Sequence, residues 1–288
     1  MKIIKHKQKS QEWLNWRRGY IMASEAASVL DISPYTSKYK CWQRKLGIVK
    51  EQETNWAMER GIALESVALD AFCEEFGIDM QPACVESSEY NFLAASLDGI
   101  SSCGKYILEI KANGKKNHDL ALQGEIPKYY VSQMQHQLLV TGAEKCYYYS
   151  FDGEKGVCIE VLPDANFVKD YLPKARDFWK SIIFFEAPPL SQEDYKDMSG
   201  SLSFNDYSDQ YKDCDVQLKA LENKKDYLRK KIIELCGDED CSGNGIKITK
   251  TTPKGQVQYK DIPELKGVDL DKYRKSMTIV WTIRLEGK

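Results

Sequence analysis

Phe92-Leu93-Ala94-Ala95-Ser96-Leu97-Asp98-Gly99 and, a few residues on, Lys105-Tyr106-Ile107-Leu108-Glu109-Ile110-Lys111-Ala112 decide how this chain reads. Apolar and β-forming residues run between turn-formers, which predicts strands over 92–97 and 105–112 joined as a hairpin. Asp98-Gly99 and Ser101-Ser102-Cys103-Gly104 supply the turn residues. Strand alternation puts Glu109 and Lys111 on one face and Leu108 and Ile110 on the other. A turn centred on Ser102-Cys103 sets Asp98 opposite Ile107 and diagonal to Glu109, within side-chain reach of a shared ion.

Two carboxylates so placed suit an oxygen-seeking ion such as Mg²⁺, with Mn²⁺ as a substitute, because such ions take one or two carboxylates plus waters and phosphate oxygens. The ion would polarise a scissile phosphate and acidify a bound water. A lysine beside it orients that water and offsets charge developing on the phosphate. Asp-Gly followed by Glu-x-Lys also recurs in ordinary solvated hairpins, so the flanking segments carry the discrimination.

Upstream stand Trp13-Leu14-Asn15-Trp16-Arg17-Arg18-Gly19-Tyr20, Ser24, and then Arg60-Gly61-Ile62-Ala63-Leu64-Glu65; downstream comes Pro127-Lys128-Tyr129-Tyr130-Val131-Ser132-Gln133-Met134-Gln135. In that order and at these separations, over residues 10–187, the segments resemble phage exonucleases of the YqaJ and lambda-exonuclease type, a branch of the PD-(D/E)xK nucleases. The resemblance implies a restriction-endonuclease-like α/β core: a mixed central sheet flanked by helices. It implies Asp98, Glu109 and the carbonyl of Ile110 as metal ligands, with Lys111 activating water. Glu65 matches the acid of the preceding helix, near a second metal position or supporting Lys111. Gln133 matches the glutamine of the following helix and Tyr130 its accompanying tyrosine. Arg17 and Ser24 match residues that hold the terminal phosphate of the substrate strand. The motif reads Ser96-Leu97-Asp98 here, without the proline that names the superfamily.

The same flanks read from the residues alone are compatible. Ser10 and Ser24 look like capping hydroxyls at helix starts. A helix beginning at Ser24 would aim free N–H groups at an anion beside Arg17 and Arg18, or Ser24 would be an ordinary cap. Glu65 lies in an amphipathic pattern over 55–76 whose core face is Ala57, Gly61, Leu64, Ala68, Leu69 and Phe72. Gln133 and Gln137 share a face of a helix over 128–141, with Tyr130 in the same stripe, which could equally be a solvent face. His136 has no second histidine at metal-ligand spacing and is expected to be a surface or internally satisfied residue.

Composition narrows the classes. With 288 residues and 42% hydrophobic content the chain can bury a full core. No apolar run approaches a membrane span and the first residues lack a secretory core, so a cytoplasmic protein, of phage or prophage origin in a bacterial host by resemblance, is expected. Nine scattered cysteines read as reduced thiols, and no iron–sulfur cluster is expected, since only Cys236 and Cys241 lie close together. A formal charge of −2 calls for a local basic track rather than a basic whole. Its candidates are Arg17, Arg18, Lys38, Lys40, Arg44, Lys45, Lys115 and Lys116. Trp13, Trp16, Tyr35, Tyr39 and Trp42 interleave with several of these, as aromatics that stack bases do, although most should be core.

A second hairpin is expected over 146–151 and 157–162 around Asp152-Gly153, then a helix over 164–185 ending before Pro188-Pro189. That break divides a catalytic domain, 1–188, from an extension, 189–288, with a charged helix over 206–236 and β-like runs at 246–252, 256–259 and 278–285. The resemblance covers no part of the extension.

The expectation is thus a Mg²⁺-dependent exodeoxyribonuclease degrading one strand of linear double-stranded DNA from its end, 5′ to 3′, for phage-type recombination. By resemblance its partners would be DNA ends, a single-strand annealing recombinase and further copies in a ring-shaped trimer. A restriction-like endonuclease and a non-catalytic DNA-end binder are the alternatives.

Overall fold

A computed structural model describes residues 1–251 apart from Lys7, Lys9, residues 50–55 and Asn113, together with residues 262, 263 and 268. The expected β runs at 256–259 and 278–285 lie outside the described residues. The chain forms two units, Met1–Lys196 and Asp197–Lys288.

The first unit opens with β1 (Lys2–Ile4), α1 (Gln11–Arg18), β2 (Ile21–Met22), a 3-10 turn at Ala23–Glu25, α2 (Ala26–Val29), α3 (Lys38–Lys45) and α4 (Trp56–Phe76). The central strands and helices follow: β3 (Met80–Glu86), β4 (Leu93–Ser101), β5 (Tyr106–Lys111), α5 (Lys115–Leu122), α6 (Lys128–Thr141), β6 (Lys145–Phe151), β7 (Gly156–Val161) and α7 (Ala165–Ile183). One mixed seven-stranded sheet runs β1-β3-β4-β5-β6-β7, with β2 pairing parallel to β4. β5 and β6 are parallel, joined through α5 and α6, as a parallel pair requires a long crossover. This is the restriction-endonuclease-like core that the resemblance implied.

The two faces of the sheet build two cores. Ile107 and Tyr148 belong to the one that takes Met134 and Leu138 of α6, while Leu108, Ile110, Tyr147 and Tyr149 pack with Ala68 and Phe72 of α4. Because residues alternate along β5, Glu109 and Lys111 are delivered to the α6 side. Ala68 and Phe72 are fully buried, as the amphipathic pattern over 55–76 required.

Asp98-Gly99 is not a turn. β4 continues through it to Ser101, and between Ala83↔Leu97 and Gln81↔Ile100 it fits two residues, Asp98 and Gly99, against the single Pro82 of β3. This is a β-bulge, which re-aims a side chain without ending the strand. Proline suits the position opposite because it has no N–H to offer a ladder. Gly99 is required by close approach: a Cβ there would meet the Met80 Cβ at 2.9 Å and the Leu108 Cβ at 3.1 Å. The β4–β5 register, Gly99↔Leu108 and Ile100↔Ile107, continues to set Asp98 across from Glu109 rather than from Ile107, correcting the diagonal placement.

The first unit extends past Pro188-Pro189 because the next segment returns to it. A 3-10 turn at Gln192–Asp194 lets Asp194 accept from the Ser37 hydroxyl and lie 3.7 Å from the Lys40 ammonium, while the Glu193 carbonyl accepts from Lys40 at 3.0 Å. The second unit holds α8 (Leu202–Cys236), capped by Ser201, and a small hairpin of β8 (Cys241–Gly243) and β9 (Ile246–Ile248). Its turn places Asn244 and Gly245 at positive φ, the usual choice for a two-residue hairpin. Among the described residues, no helix is long and apolar enough to cross a membrane.

Candidate active site

The bulge on β4 and the end of β5 bring three predicted residues together, and α6 closes over them. Asp98 turns a carboxylate oxygen to the Ile110 N–H, which donates at 2.8 Å. Glu109 is 2% exposed. One of its oxygens accepts from the Lys111 ammonium and from Gln133 Nε2 at 2.6 Å; the other accepts from Gln137 Nε2. Lys111 Nζ also donates to Gln133 Oε1 at 3.3 Å and stands 4.8 Å from the centre of the Tyr130 ring. Gln133 is therefore bonded to both members of the Glu109–Lys111 ion pair, and Tyr130, itself buried, forms the floor under the lysine.

The electrostatics follow from crowding two acids beside one base. Burial, and then the Glu109 charge, push the Asp98 carboxyl well above the usual carboxylate range, while Lys111 pulls the other way. For Lys111 burial alone would favour the neutral amine, but the Glu109 and Asp98 charges outweigh it and hold the ammonium above its ordinary pKa. Glu65 on α4 adds a smaller repulsion to Asp98. It is not gathered with the other two acids into a ready cage: among the described residues no three of His, Cys, Asp and Glu are placed to hold an ion together.

The stripe on α6 that could have been a solvent face is turned inward: Tyr130 and Gln137 are buried and Gln133 is half-buried, and the neighbouring residues are buried with them. Gln135, His136 and Gln137 are 4%, 0% and 0% exposed. Gln135 donates to the Leu162 carbonyl at 2.7 Å, and His136 bridges the Tyr171 hydroxyl and the Ala94 carbonyl at 2.7 and 3.0 Å. Gln137 is the site residue that went unassigned, although its spacing from Gln133 already placed the two on one face.

A second feature is a cleft of about 180 Å³ lined by Arg17, Arg18, Ser24, Ser28, Tyr35 and Arg44 among others. Arg17 donates to the Ser24 hydroxyl at 3.0 Å, and its guanidinium lies 4.5 Å from the centre of the Trp13 ring. Ser10 caps α1 as expected, accepting from the Trp13 N–H. Ser24 does not cap a helix. It lies within the 3-10 turn, where the Glu25 carboxylate takes the Met22 N–H at 2.9 Å, so its hydroxyl is left to Arg17. Lys45 leaves the basic track: it is buried, paired with Glu25 at 2.6 Å, and donates to the Arg17 and Tyr20 carbonyls.

Fold and site together define an α/β scaffold of the restriction-endonuclease type with an acid–acid–lysine–glutamine centre. Residues 12–144 match the YqaJ-like viral recombinase domain, and this segment is similar to that family. The protein YqaJ of Bacillus subtilis is 30% identical over 186 residues, covering 62% of this chain and 58% of the relative. Protein R354 of Acanthamoeba polyphaga mimivirus is 29% identical over 160 residues, 50% of this chain and 29% of the relative. The matched part thus spans little more than half of the first relative and under a third of the second. Among solved structures, an alkaline exonuclease from Laribacter hongkongensis superposes with a TM-score of 0.53 at 24% identity, covering 60% of this chain and 93% of that one. Its complex with dAMP gives 0.54 at 22% over the same shares. These likenesses establish the fold.

Proposed function

We propose that this protein is a metal-dependent deoxyribonuclease, an exonuclease that removes nucleotides from one strand at the end of linear double-stranded DNA. The observation that carries the reading is the Asp98–Glu109–Lys111–Gln133 constellation, set on the bulge of β4 and the end of β5 and closed by α6. The alkaline exonuclease activity named for the Laribacter protein, which shares the fold, agrees with it.

The donor set fits a hard divalent ion. Asp98 and Glu109 are oxygen ligands crowded enough that the Asp98 charge lacks full compensation, and the Ile110 carbonyl lies on the same strand. Mg²⁺ bound by these groups supplies Lewis-acid polarisation of the scissile phosphate and an acidified water. The Lys111 ammonium, oriented by Gln133 and floored by Tyr130, directs the attacking water and offsets charge on the phosphate. Glu65, whose charge reaches Asp98, adds to the negative field that would draw a cation to the centre. Arg17 and Ser24, with Arg18 beside them, form the cleft that takes the terminal phosphate, the arginine serving as a forked donor. A role in phage-type recombination, 5′-to-3′ polarity, an annealing partner and a ring trimer are what the resemblance implies, and they belong to this proposal.

Lys111→Ala tests the assignment. It removes the water-directing charge and no ligand, so cutting should vanish while calorimetry still records Mg²⁺ binding. A variant that cuts at the wild-type rate would remove Lys111 from the mechanism.

A further inference from the structure

Four of the five aromatic residues interleaved with the basic track have structural work. Trp13 lies beside Arg17 and donates to Ser96 at 2.9 Å; Trp16 donates to Glu86 at 3.0 Å; Trp42 is buried and donates to the Ser181 carbonyl; and Tyr39 stacks on Trp42. Tyr35 differs. It is 65% exposed and lines the Arg17–Ser24 cleft.

Its position is built. The Ser33 hydroxyl accepts from the Tyr35 and Thr36 N–H groups, and Thr36 is held in turn by Ser28 and Arg44. The Tyr35 ring meets Tyr129 edge-on at 5.6 Å, Tyr129 meets Tyr130 at 4.4 Å, and the Tyr130 ring carries Lys111 Nζ at 4.8 Å. Three rings therefore connect the anion cleft to the lysine of the candidate active site.

We infer that Tyr35 is a stacking platform for the terminal base of the bound strand, a site that rests on the DNA-end reading above. A strand whose terminal phosphate occupies the Arg17–Ser24 cleft, and whose next phosphodiester reaches Lys111, holds one nucleoside between them. Its base needs an apolar face, and the exposed ring of Tyr35 supplies one on the cleft wall. Every base offers a π-face, so the platform recognises the presence of a terminal base rather than its identity.

Equilibrium binding in chelator, where no cutting occurs, tests this with two phosphorylated duplexes that differ only in carrying a normal or an abasic terminal nucleotide. Wild-type protein should prefer the base-bearing end about ten-fold. Tyr35→Ala should lose that preference, read as the ratio of the two affinities within the variant so that any general loss of binding cancels, with circular dichroism showing that it is folded; Tyr35→Phe should keep the preference. Equal wild-type affinity for the two ends, or an undiminished preference in Tyr35→Ala, would overturn the platform and leave the DNA-end reading standing. Wild-type protein that binds neither end would overturn both.

Discussion

Gln137→Leu separates a held Glu109 from a merely buried one. Gln137 is fully buried, and its amide is the donor to the Glu109 oxygen that Lys111 and Gln133 do not occupy. Leucine has similar volume, so the cavity term is small and the loss is the hydrogen bond. A bond to a charged group contributes about 1.5–3 kcal/mol, and stranding a buried acceptor adds to that, so about 2–3 kcal/mol of stability should go. For a domain of this size that corresponds to a fall in Tm of about 5–10 °C. Urea denaturation and calorimetry read this directly. If Glu109 then swings from its place, half-maximal cutting should also need more Mg²⁺. A variant that melts within about 1 °C of the wild type would refute the reasoning, because a carboxylate 2% exposed cannot recover its lost partner from solvent.

Three further outcomes follow from the same structure. Arg17→Ala should slow digestion of ends that carry a terminal phosphate and leave dephosphorylated ends little changed; equal slowing of both would remove the phosphate grip. Burial holds the His136 imidazole down to about 4, against the opposing bond to the Ala94 carbonyl. The unfolded chain takes up this proton below about 6.5 and the folded chain only near 4, so stability falls as pH drops through that window, by about 3 kcal/mol. A pH series of urea melts should show that slope in the wild type and a flatter one in His136→Gln. Lys45→Met leaves Glu25 without its buried partner and should cost about 3–5 kcal/mol, read by urea denaturation; normal stability with weakened DNA binding would return Lys45 to the basic track.

What the sequence made legible was whatever local chemistry determines. The helix over 128–141, the strands carrying Glu109-Ile110-Lys111 and the Ser10 cap all appear where periodicity and capping residues put them. Asp98-Gly99 was misread because the same dipeptide serves a turn and a bulge, and the choice is made by Pro82 across the sheet and by Met80 and Leu108 against Gly99. Ser24 was misread because the helix after it is only Ala26–Val29, so its hydroxyl answers to Arg17 rather than to backbone. Gln137 was hidden for a different reason. A polar helix face is ordinarily solvated, and only the acid on β5 explains why this one is turned inward. Lys45 looked like one more surface cation until Glu25 and two carbonyls closed around it.

The central claim is that this site hydrolyses DNA from an end. The decisive measurement is digestion of end-labelled linear duplex beside covalently closed circular plasmid, with Mg²⁺ or chelator, and with Asp98→Ala as the control. Loss of the linear DNA alone, abolished by chelator and by Asp98→Ala, is the predicted result, and the released products give the polarity. Cutting of the closed circle would contradict the end-dependent reading in favour of an endonuclease, and intact linear DNA under every condition would contradict the nuclease assignment itself.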